Sequence, residues 1–454
     1  MTMPSIEKLF EAHPNPVRAL RNEPFWDLSD SDIFKMERSN WRSEQDAWYK
    51  TVALFDLSHH MSDMYISGPD AHKLLKYLSI SALDPFPVYT AKQFITASAE
   101  GYLSGDGILQ RLGDDQFLFI ADMASRDWVD YHIRTGNWDV TYREEFRMPH
   151  VTSSTYRFQI QGPNALTLIE RALGGPMPEL KFFHLADLEF QGLKFRALRH
   201  GMAGQAGIEI NGPWEDKQKM HDLLHELGKD LGIVDVGWWA YASSTIESGW
   251  LCVELPGYYI GEGGAAFREV GSDFVTSLGG SFDSENLEDY MFTPYEMGYG
   301  RLVDLEHDSI SRDALIKMSQ EPVKRRKVTF EFNADDVAKL YADLLDSGTT
   351  PPPQFFRLID TAYSGSQYEA VKVDGNTVGV VTTISYVSPH RKVIGIGVID
   401  VEFAEPGTEV TVLWGDSLTI PRPNVEEHSQ VLLRATIAPS PYSKYAREKY
   451  RSNA

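Results

Sequence analysis

The chain has 454 residues, more than one hydrophobic core usually holds, which predicts two or three packed units. Its 65 aspartates and glutamates outnumber its 43 lysines and arginines, and the net charge of -22 disfavours nucleic acid or an anionic membrane as a partner. The single cysteine, Cys252, excludes an internal disulfide, and its apolar neighbours are typical of an inert buried thiol. Without a membrane-length apolar run or a signal pattern, we expect a cytoplasmic protein.

The first half of the chain contains one arrangement of elements twice. After a helical pattern from Trp41 to Leu54, a strand at 64–68 leads into Gly-Pro and a helix. The same order of strand, Gly-Pro and helix recurs at 158–165. Between the two, the glycines at 101–109 predict a turn between strands, and they lack the lysine and hydroxyl of a phosphate loop. The repetition predicts two related α+β units.

A flexible glycine-rich loop that begins at Gly201 runs into an apolar strand that carries one carboxylate, Glu209. A charge within an apolar strand needs a partner. Two interpretations stay open: Glu209 accepts hydrogen bonds from the N–H groups of a ligand, or it occupies a strand position that faces the surface.

The stretch Tyr241–Trp250 combines a phenol, two adjacent serines, a carboxylate and an indole within ten residues. This mixture favours the floor of an active site over a uniform apolar face. A free phenol has a pKa of about 10, so Tyr241 stays protonated at neutral pH and is the candidate general acid. The alternative is a buried tyrosine whose hydroxyl only satisfies a backbone carbonyl.

The composition changes after a basic run at 324–327, where short strands separated by glycine and proline turns continue to about Leu433. They predict a small β-barrel or sandwich, with a division into residues 1–323 and 324–445. The basic run is compatible with contact to a polyanionic ligand tail, or with a solvated strand start. No metal-ligand cluster or dinucleotide fingerprint is found, so activity is not expected to need zinc, iron or nicotinamide.

Several blocks in this order resemble the tetrahydrofolate-dependent aminomethyltransferase family, the T-proteins of glycine cleavage. The blocks are Phe55 to Met61, Ser67 to Ala71, Gln161 to Pro163, Thr293 to Glu296, Ile310 to Leu315 and Gly379 to Asp400. Within the family, the sequence is most similar to bacterial tetrahydrofolate-dependent aryl O-demethylases that act on vanillate, 3-O-methylgallate and syringate. The resemblance implies an α+β, three-lobed fold, with two folate-binding lobes and a C-terminal β-barrel around a central channel.

The resemblance also implies the site residues and the partners, tetrahydrofolate and a small methylated substrate. It places the catalytic residues Tyr241 and His60 at the reacting oxygen. It implies cofactor contacts for Glu209, Trp250, Ile120 and Asp106, and substrate contacts for Asp122, Ser31, His59, Leu57 and Arg126.

Two departures from the family pattern bear on the substrate. Tyr241 stands where aminomethyltransferases typically have arginine, which argues against glycine-cleavage chemistry. Asp122 and Ser31 stand where vanillate-type enzymes have an arginine and a tyrosine. A carboxylate facing a benzoate would repel it by about 4 kcal/mol at roughly 4 Å and an effective dielectric of about 20. We therefore predict a preference for neutral or cationic methyl ethers, unless Arg126 turns inward from a helix and restores acid binding.

Three function classes remain at this point. The first is O-demethylation of a methoxy-aromatic compound, with methyl transfer to N5 of tetrahydrofolate. The second is demethylation of a methyl sulfonium or quaternary ammonium compound, whose neutral leaving group needs no acid. The third is a folate-binding protein without turnover. Tyr241 favours the first class over the second, because proton donation helps only an anionic leaving group.

Overall fold

The structure is a computed structural model that describes residues 5–11, 13–22, 35–145, 153–270, 275–359, 365–423 and 425–451. Its helices, in chain order, are α1 (Ile6–Glu11), α2 (Pro16–Asn22), α3 (Trp41–Lys50), α4 (Ala71–Leu78), α5 (Met123–Thr135), α6 (Ala165–Leu173), α7 (Lys217–Gly228), α8 (Trp238–Ser248), α9 (Ala265–Val270), α10 (Arg312–Ser319), α11 (Ala334–Leu345) and α12 (Lys444–Glu448).

The strands fall into three main groups that are separate in space but partly interleaved along the chain. In chain order they are β1 (Val52–Asp56), β2 (Ser62–Ser67), β3 (Thr90–Ala97), β4 (Leu103–Gly113), β5 (Gln116–Ala121), β6 (Thr141–Glu145), β7 (Thr155–Gln161), β8 (Leu185–Phe190), β9 (Leu193–Leu198), β10 (Gly207–Pro213), β11 (Ile233–Val236), β12 (Leu278–Gly279), β13 (Arg325–Phe332), β14 (Ser366–Gln367), β15 (Glu369–Val373), β16 (Asn376–Val387), β17 (Lys392–Asp400), β18 (Glu409–Trp414) and β19 (Val431–Ala438).

Two sheets build the first part of the molecule. One has six strands in the order β11-β1-β7-β10-β9-β8, and the other has five in the order β3-β4-β5-β2-β6. In each sheet one strand ends at a Gly-Pro turn that starts a helix, and both glycines, Gly68 and Gly162, have a positive φ, of 136° and 133°. A side chain is strained in that backbone conformation. The repeated strand, Gly-Pro and helix arrangement is therefore confirmed, with one copy in each sheet.

Two of the predicted elements are wrong. The helix predicted from Trp41 to Leu54 ends at Lys50, and the residues that follow form β1, because they pair with two neighbours. In that strand Leu54 lies opposite Ile160 of the antiparallel β7 and Asp235 of the parallel β11. The glycine-rich segment at 101–109 is mostly strand rather than turn, since β4 forms ladders with both β3 and β5.

The C-terminal part is a closed barrel with strand order β13-β17-β16-β15-β18-β19. Its interior is apolar and includes the fully buried side chains of Phe330, Val412 and Trp414. A closed barrel leaves no unpaired sheet edge, which explains why short strands suffice here. All six strands lie within the predicted range 324–445. The division at residue 323 itself stays a prediction.

Helix α8, which carries Tyr241, is fixed between α3 and the barrel. Gln45 of α3 donates one hydrogen bond to the Ser243 hydroxyl at 2.9 Å and another to the carbonyl of Tyr386 in β16 at 3.1 Å. Glu247 is fully buried, accepts a short hydrogen bond from the Tyr49 hydroxyl and lies 3.2 Å from His390 Nε2. These contacts fix α8 against α3 and the barrel.

Along the described segments, none of the helices combines the length and the apolar character that crossing a bilayer requires.

Candidate active site

A cavity of about 960 Å³ lies where the two sheets and the barrel meet. Its wall draws on every part of the fold: Ile120 comes from β5, Glu209 from β10, Tyr241 from α8 and Lys327 from β13. A volume of this size is sufficient for a small-molecule substrate together with a cofactor. The cavity is therefore the candidate active site.

Tyr241 belongs to the buried part of the cavity lining, which we call the closed end, and is 5% exposed. Its ring makes edge contacts with Phe55, at a centroid distance of 5.5 Å, and with His60, at 5.1 Å. Burial raises the pKa of Tyr241 well above its ordinary value, and the nearby charge of Glu209 raises it further. The hydroxyl is therefore fully protonated at neutral pH and able to donate a hydrogen bond into the cavity.

His60 follows β1 and lines the cavity beside Tyr241. Its backbone N–H donates to the Leu57 carbonyl at 3.0 Å, and its own carbonyl accepts from Nη1 of Arg157 at 3.2 Å. Burial, reinforced by the positive charge of Arg157, lowers the pKa of His60 to about 3. The imidazole is therefore neutral at pH 7, which suits a hydrogen-bonding role better than proton relay.

Glu209 occupies a central strand of the six-stranded sheet, and its side chain lines the cavity. Oε1 lies 3.5 Å from Nε of Arg157, and Oε2 accepts from Nε2 of Gln159 at 3.4 Å. Arg157 is also buried and forms a short ion pair with Asp63. The required partner for the Glu209 charge is thus Arg157. The interpretation of Glu209 as a surface position is wrong.

Asp106 of β4 is held by three side-chain donors on another wall. Its carboxylate accepts from Gln93 Nε2 at 3.0 and 2.9 Å, from the Tyr299 hydroxyl at 2.8 Å and from Trp250 Nε1 at 3.1 Å. Burial raises the pKa of Asp106 to about 6, although these donors oppose the shift. The network fixes the plane of the Trp250 indole at the cavity wall.

The part of the cavity lining that is exposed to solvent, which we call the open end, is basic. We call its positively charged side chains the cationic rim. It consists of Arg301, Arg326, Lys327, Arg447 and Arg451. All except Lys327 are exposed, whereas burial lowers the pKa of Lys327 to about 8. A basic rim in a chain of net charge -22 indicates an anionic ligand group at this end.

The two C-terminal arginines of the rim were missed by the sequence analysis. They reach the cavity because the Tyr450 hydroxyl anchors the end of the chain, donating to the Gly201 carbonyl at 2.7 Å and accepting from the Gly201 N–H at 2.6 Å. This contact spans 249 residues of sequence, so no local pattern could have revealed it.

Seven of the predicted site residues line the cavity together. They are Tyr241, His60, Glu209, Trp250, Ile120, Asp106 and Leu57. Their individual roles stay predictions. Ser243, Ser244 and Glu247 of the Tyr241–Trp250 stretch are fully buried and do not line the cavity, and the side chains of Ser243 and Glu247 contact α3.

Three predicted substrate contacts, Asp122, Arg126 and His59, are not among the residues that line the cavity, and a fourth, Ser31, is not described by the structure. Asp122 caps α5: Oδ1 accepts from the Ser125 N–H at 2.7 Å, and Oδ2 from the Ser125 hydroxyl at 3.0 Å. Arg126 is buried within α5, where it pairs with Asp127 and, at 3.0 Å, with Glu144. The helix thus forms, but it does not direct Arg126 inward. His59 lines a different, smaller cavity, and Ser31 lies outside the described residues.

Comparisons with known proteins agree with this architecture. Residues 23–255 match the profile of the GCVT N-terminal domain family. Syringate O-demethylase from Sphingobium sp. (strain NBRC 103272 / SYK-6) is 42% identical over 458 residues, which cover 98% of this chain and 97% of that protein. Sesamin methylene transferase from Sinomonas sp. (strain No.22) is 27% identical, with 85% of each chain covered.

The fold agrees with a solved structure as well. Glycine cleavage system aminomethyltransferase T from Bartonella henselae superposes with a TM-score of 0.61 at 16% identity, covering 96% of this chain and 97% of that one. This similarity confirms the predicted α+β fold with its C-terminal barrel. The chain is therefore a member of the tetrahydrofolate-dependent aminomethyltransferase family, defined by the GCVT N-terminal domain.

Proposed function

We propose that this protein is a tetrahydrofolate-dependent O-demethylase that takes the methyl group of a methoxy-aromatic compound. The observation that carries the proposal is the protonated Tyr241 hydroxyl beside the neutral His60 at the closed end of the cavity. A full-length relative at 42% identity, syringate O-demethylase, bears a name that describes this reaction class.

The cavity has the groups needed to hold tetrahydrofolate. The Glu209 carboxylate lines the cavity, and the pterin ring presents N–H donors that a carboxylate can accept. The indole of Trp250 offers an apolar face at the wall. The cationic rim suits the carboxylates of the glutamate tail. When bound, tetrahydrofolate supplies the amine nitrogen N5 as methyl acceptor.

Tyr241 assists the cleavage of the bond between the methyl carbon and the ether oxygen. The methyl carbon leaves the ether oxygen with both bonding electrons remaining on that oxygen, so negative charge develops there. A hydrogen bond from the buried hydroxyl stabilises this charge in a site sheltered from water. Because burial raises the pKa of Tyr241, we expect the hydrogen bond to contribute more than a completed proton transfer to the phenolate.

The position of Asp122 changes the expected substrate. The predicted preference for neutral or cationic ethers depended on its carboxylate facing the substrate, but that carboxylate caps α5 instead. In this proposal Asp122 is not expected to repel a benzoate, because its carboxylate is engaged with Ser125 at the start of α5. Carboxylated methoxy-aromatics, the class to which syringate belongs, are included in the proposed substrate range.

The test is incubation with tetrahydrofolate and a panel of methyl donors. The panel contains syringate, vanillate, an uncharged methoxyphenol, a methyl sulfonium compound and a betaine. We expect 5-methyltetrahydrofolate and a phenol from the methoxy-aromatic compounds alone. Turnover of the sulfonium compound or the betaine would instead support the onium demethylase, and tight folate binding without any turnover would support a non-catalytic protein.

A further inference from the structure

A second cluster of functional side chains lies outside the main cavity. His221 and His225 are four residues apart on α7, so both project from the same face of the helix. Their ring centroids are 4.4 Å apart. Opposite them is Asp235 on β11, whose Oδ1 lies 3.1 Å from Nε2 of His221 and 3.0 Å from Nε2 of His225. Three potential metal ligands thus converge on one point.

The geometry is close to that of a metal site. Bonds of about 2.0 to 2.1 Å in a tetrahedron place neighbouring ligand atoms about 3.3 Å apart, a few tenths of an ångström more than the two observed separations. A small outward movement of the side chains would admit an ion. Nδ1 of His221 lies 3.6 Å from a carboxylate oxygen of Asp222, so Asp222 is near enough to accept a hydrogen bond from a metal-bound imidazole after a small movement.

The ligand types select among metals. Two imidazole nitrogens and one carboxylate oxygen suit zinc and related transition metals, whereas Ca²⁺ and Mg²⁺ prefer sites built mainly from oxygen ligands. Each of the three side chains is about one-third exposed, at 31%, 33% and 32%, so an ion can reach them from solvent.

Open coordination positions would face a second cavity of about 340 Å³, lined by His221 and Asp235 and also by Arg38, Lys217 and Asp56. Lys217 is engaged with Asp56 at 2.9 Å, so its charge is largely compensated. Water or a small anionic ligand could complete the coordination there.

We propose that His221, His225 and Asp235 form a binding site for one divalent transition-metal ion of the zinc class. The ion connects α7 to β11, which is the edge strand of the six-stranded sheet. Only Gly237 separates β11 from α8, the helix that carries Tyr241. The site therefore stabilises the segment that positions the catalytic helix, without contributing a ligand to the main cavity.

The sequence shows the two histidines of this site as a motif but not its aspartate. A His-x-x-x-His spacing is visible at 221 and 225, but Asp235 becomes a neighbour only through the path of the chain after α7. The sequence analysis found no metal-ligand cluster because these three residues come together only in the fold.

The test uses the full-length protein, freed of metal with a chelator and dialysed, and then titrated calorimetrically with Zn²⁺. We expect one strong site per chain, no competition by Mg²⁺ and a higher melting temperature with Zn²⁺ than without it. Each of His221→Gln, His225→Gln and Asp235→Asn should weaken Zn²⁺ binding by at least about tenfold, because even the loss of an outer contact has an effect of that size.

His72→Gln is the matched control, since His72 also faces an aspartate, Asp84 at 3.5 Å, but has no second histidine in that pair. It should leave Zn²⁺ binding unchanged. Melting of each metal-free variant verifies that it is folded, and the visible absorption of Co²⁺ in the wild type reports nitrogen ligation without any mutation. The proposal would be overturned if the wild type had no strong Zn²⁺ site, or if the three variants bound Zn²⁺ as tightly as the wild type.

Discussion

The two ends of the main cavity hold charge in different ways. At the closed end, Arg157 and Glu209 are 2% and 6% exposed and are paired within the protein. At the open end, the arginines of the cationic rim are exposed to solvent. Interactions between charges are strong and geometrically fixed in a buried setting, but weak and screened by salt at the surface. The closed end can therefore direct chemistry, whereas the open end contributes mainly attraction for an anionic ligand.

The largest effect is expected from Tyr241→Phe at the closed end. It removes only the hydroxyl, so the affinity for tetrahydrofolate should be retained while kcat falls by roughly 10² to 10³, the usual range for losing one hydrogen-bond donor to a developing negative charge. Single-turnover kinetics and equilibrium folate binding provide the two measurements. Tyr77→Phe, on α4 and away from the cavity, is the control. Wild-type turnover in Tyr241→Phe would remove this residue from the mechanism and reopen the onium alternative.

The second-largest effect is expected at the carboxylate of Glu209, which is paired with Arg157. Glu209→Gln should weaken tetrahydrofolate binding by roughly 1.5 to 3 kcal/mol, the range for a hydrogen bond to a charged group. Arg157 keeps Asp63 as a partner in this variant, so the fold is expected to persist. Glu189→Gln, at an exposed position of β8 in the same sheet, is the matched control. Equal affinities by calorimetry in all three proteins would show that Glu209 does not contact the cofactor.

A third prediction tests the reassignment of Asp122. Asp122→Ala removes a helix cap and should lower the free energy of unfolding by about 0.5 to 2 kcal/mol. Asn333→Ala, which removes the comparable cap of α11, should give a loss of similar size. Neither variant should alter the ratio of kcat/KM for syringate to that for an uncharged methoxyphenol. A changed ratio in Asp122→Ala alone would return this carboxylate to the substrate pocket.

These cases also indicate what the sequence could reveal. The repeated Gly-Pro units, the barrel strands and the cavity positions of Tyr241 and His60 were predictable, because local patterns and family motifs report on short segments. The motifs identified Asp122 by its place in an alignment, but its role is decided by a local contact with Ser125 three residues later. An aspartate directly before a helix is itself a capping signal, and it was overlooked.

Other features had no local signal. The C-terminal arginines of the cationic rim depend on the contact between Tyr450 and Gly201. The proposed metal site depends on β11 lying beside α7. Both are contacts between segments that are distant or separated by a turn. The charge partner of Glu209 was equally hidden: the need for one followed from burial, but Arg157 becomes its neighbour only when β7 and β10 pair. Pairing between strands that are distant in sequence determines which of these side chains meet. A single sequence contains no local pattern that indicates this pairing.

The smallest effect is expected at Lys327, the half-buried member of the cationic rim. Burial lowers the pKa of Lys327 to about 8, so its positive charge is present below that pH and is lost as the pH rises through it. Nζ donates one hydrogen bond, to the Gly249 carbonyl at 2.7 Å, and its other protons remain for a ligand carboxylate. Affinity for tetrahydrofolate should therefore fall by roughly fivefold above pH 8, since a charged hydrogen bond exceeds a neutral one by about 1 kcal/mol.

Lys327→Arg separates this effect from titration of the ligand itself. Arginine keeps its charge throughout the range, so the variant should bind tetrahydrofolate with an affinity that no longer falls above pH 8. Arg326→Gln provides the contrast within the same strand, because that exposed side chain should lower the affinity slightly at every pH and more at low salt. If Lys327→Arg keeps the wild-type pH dependence, the titrating group is not Lys327, and the open end acts only through its exposed charges.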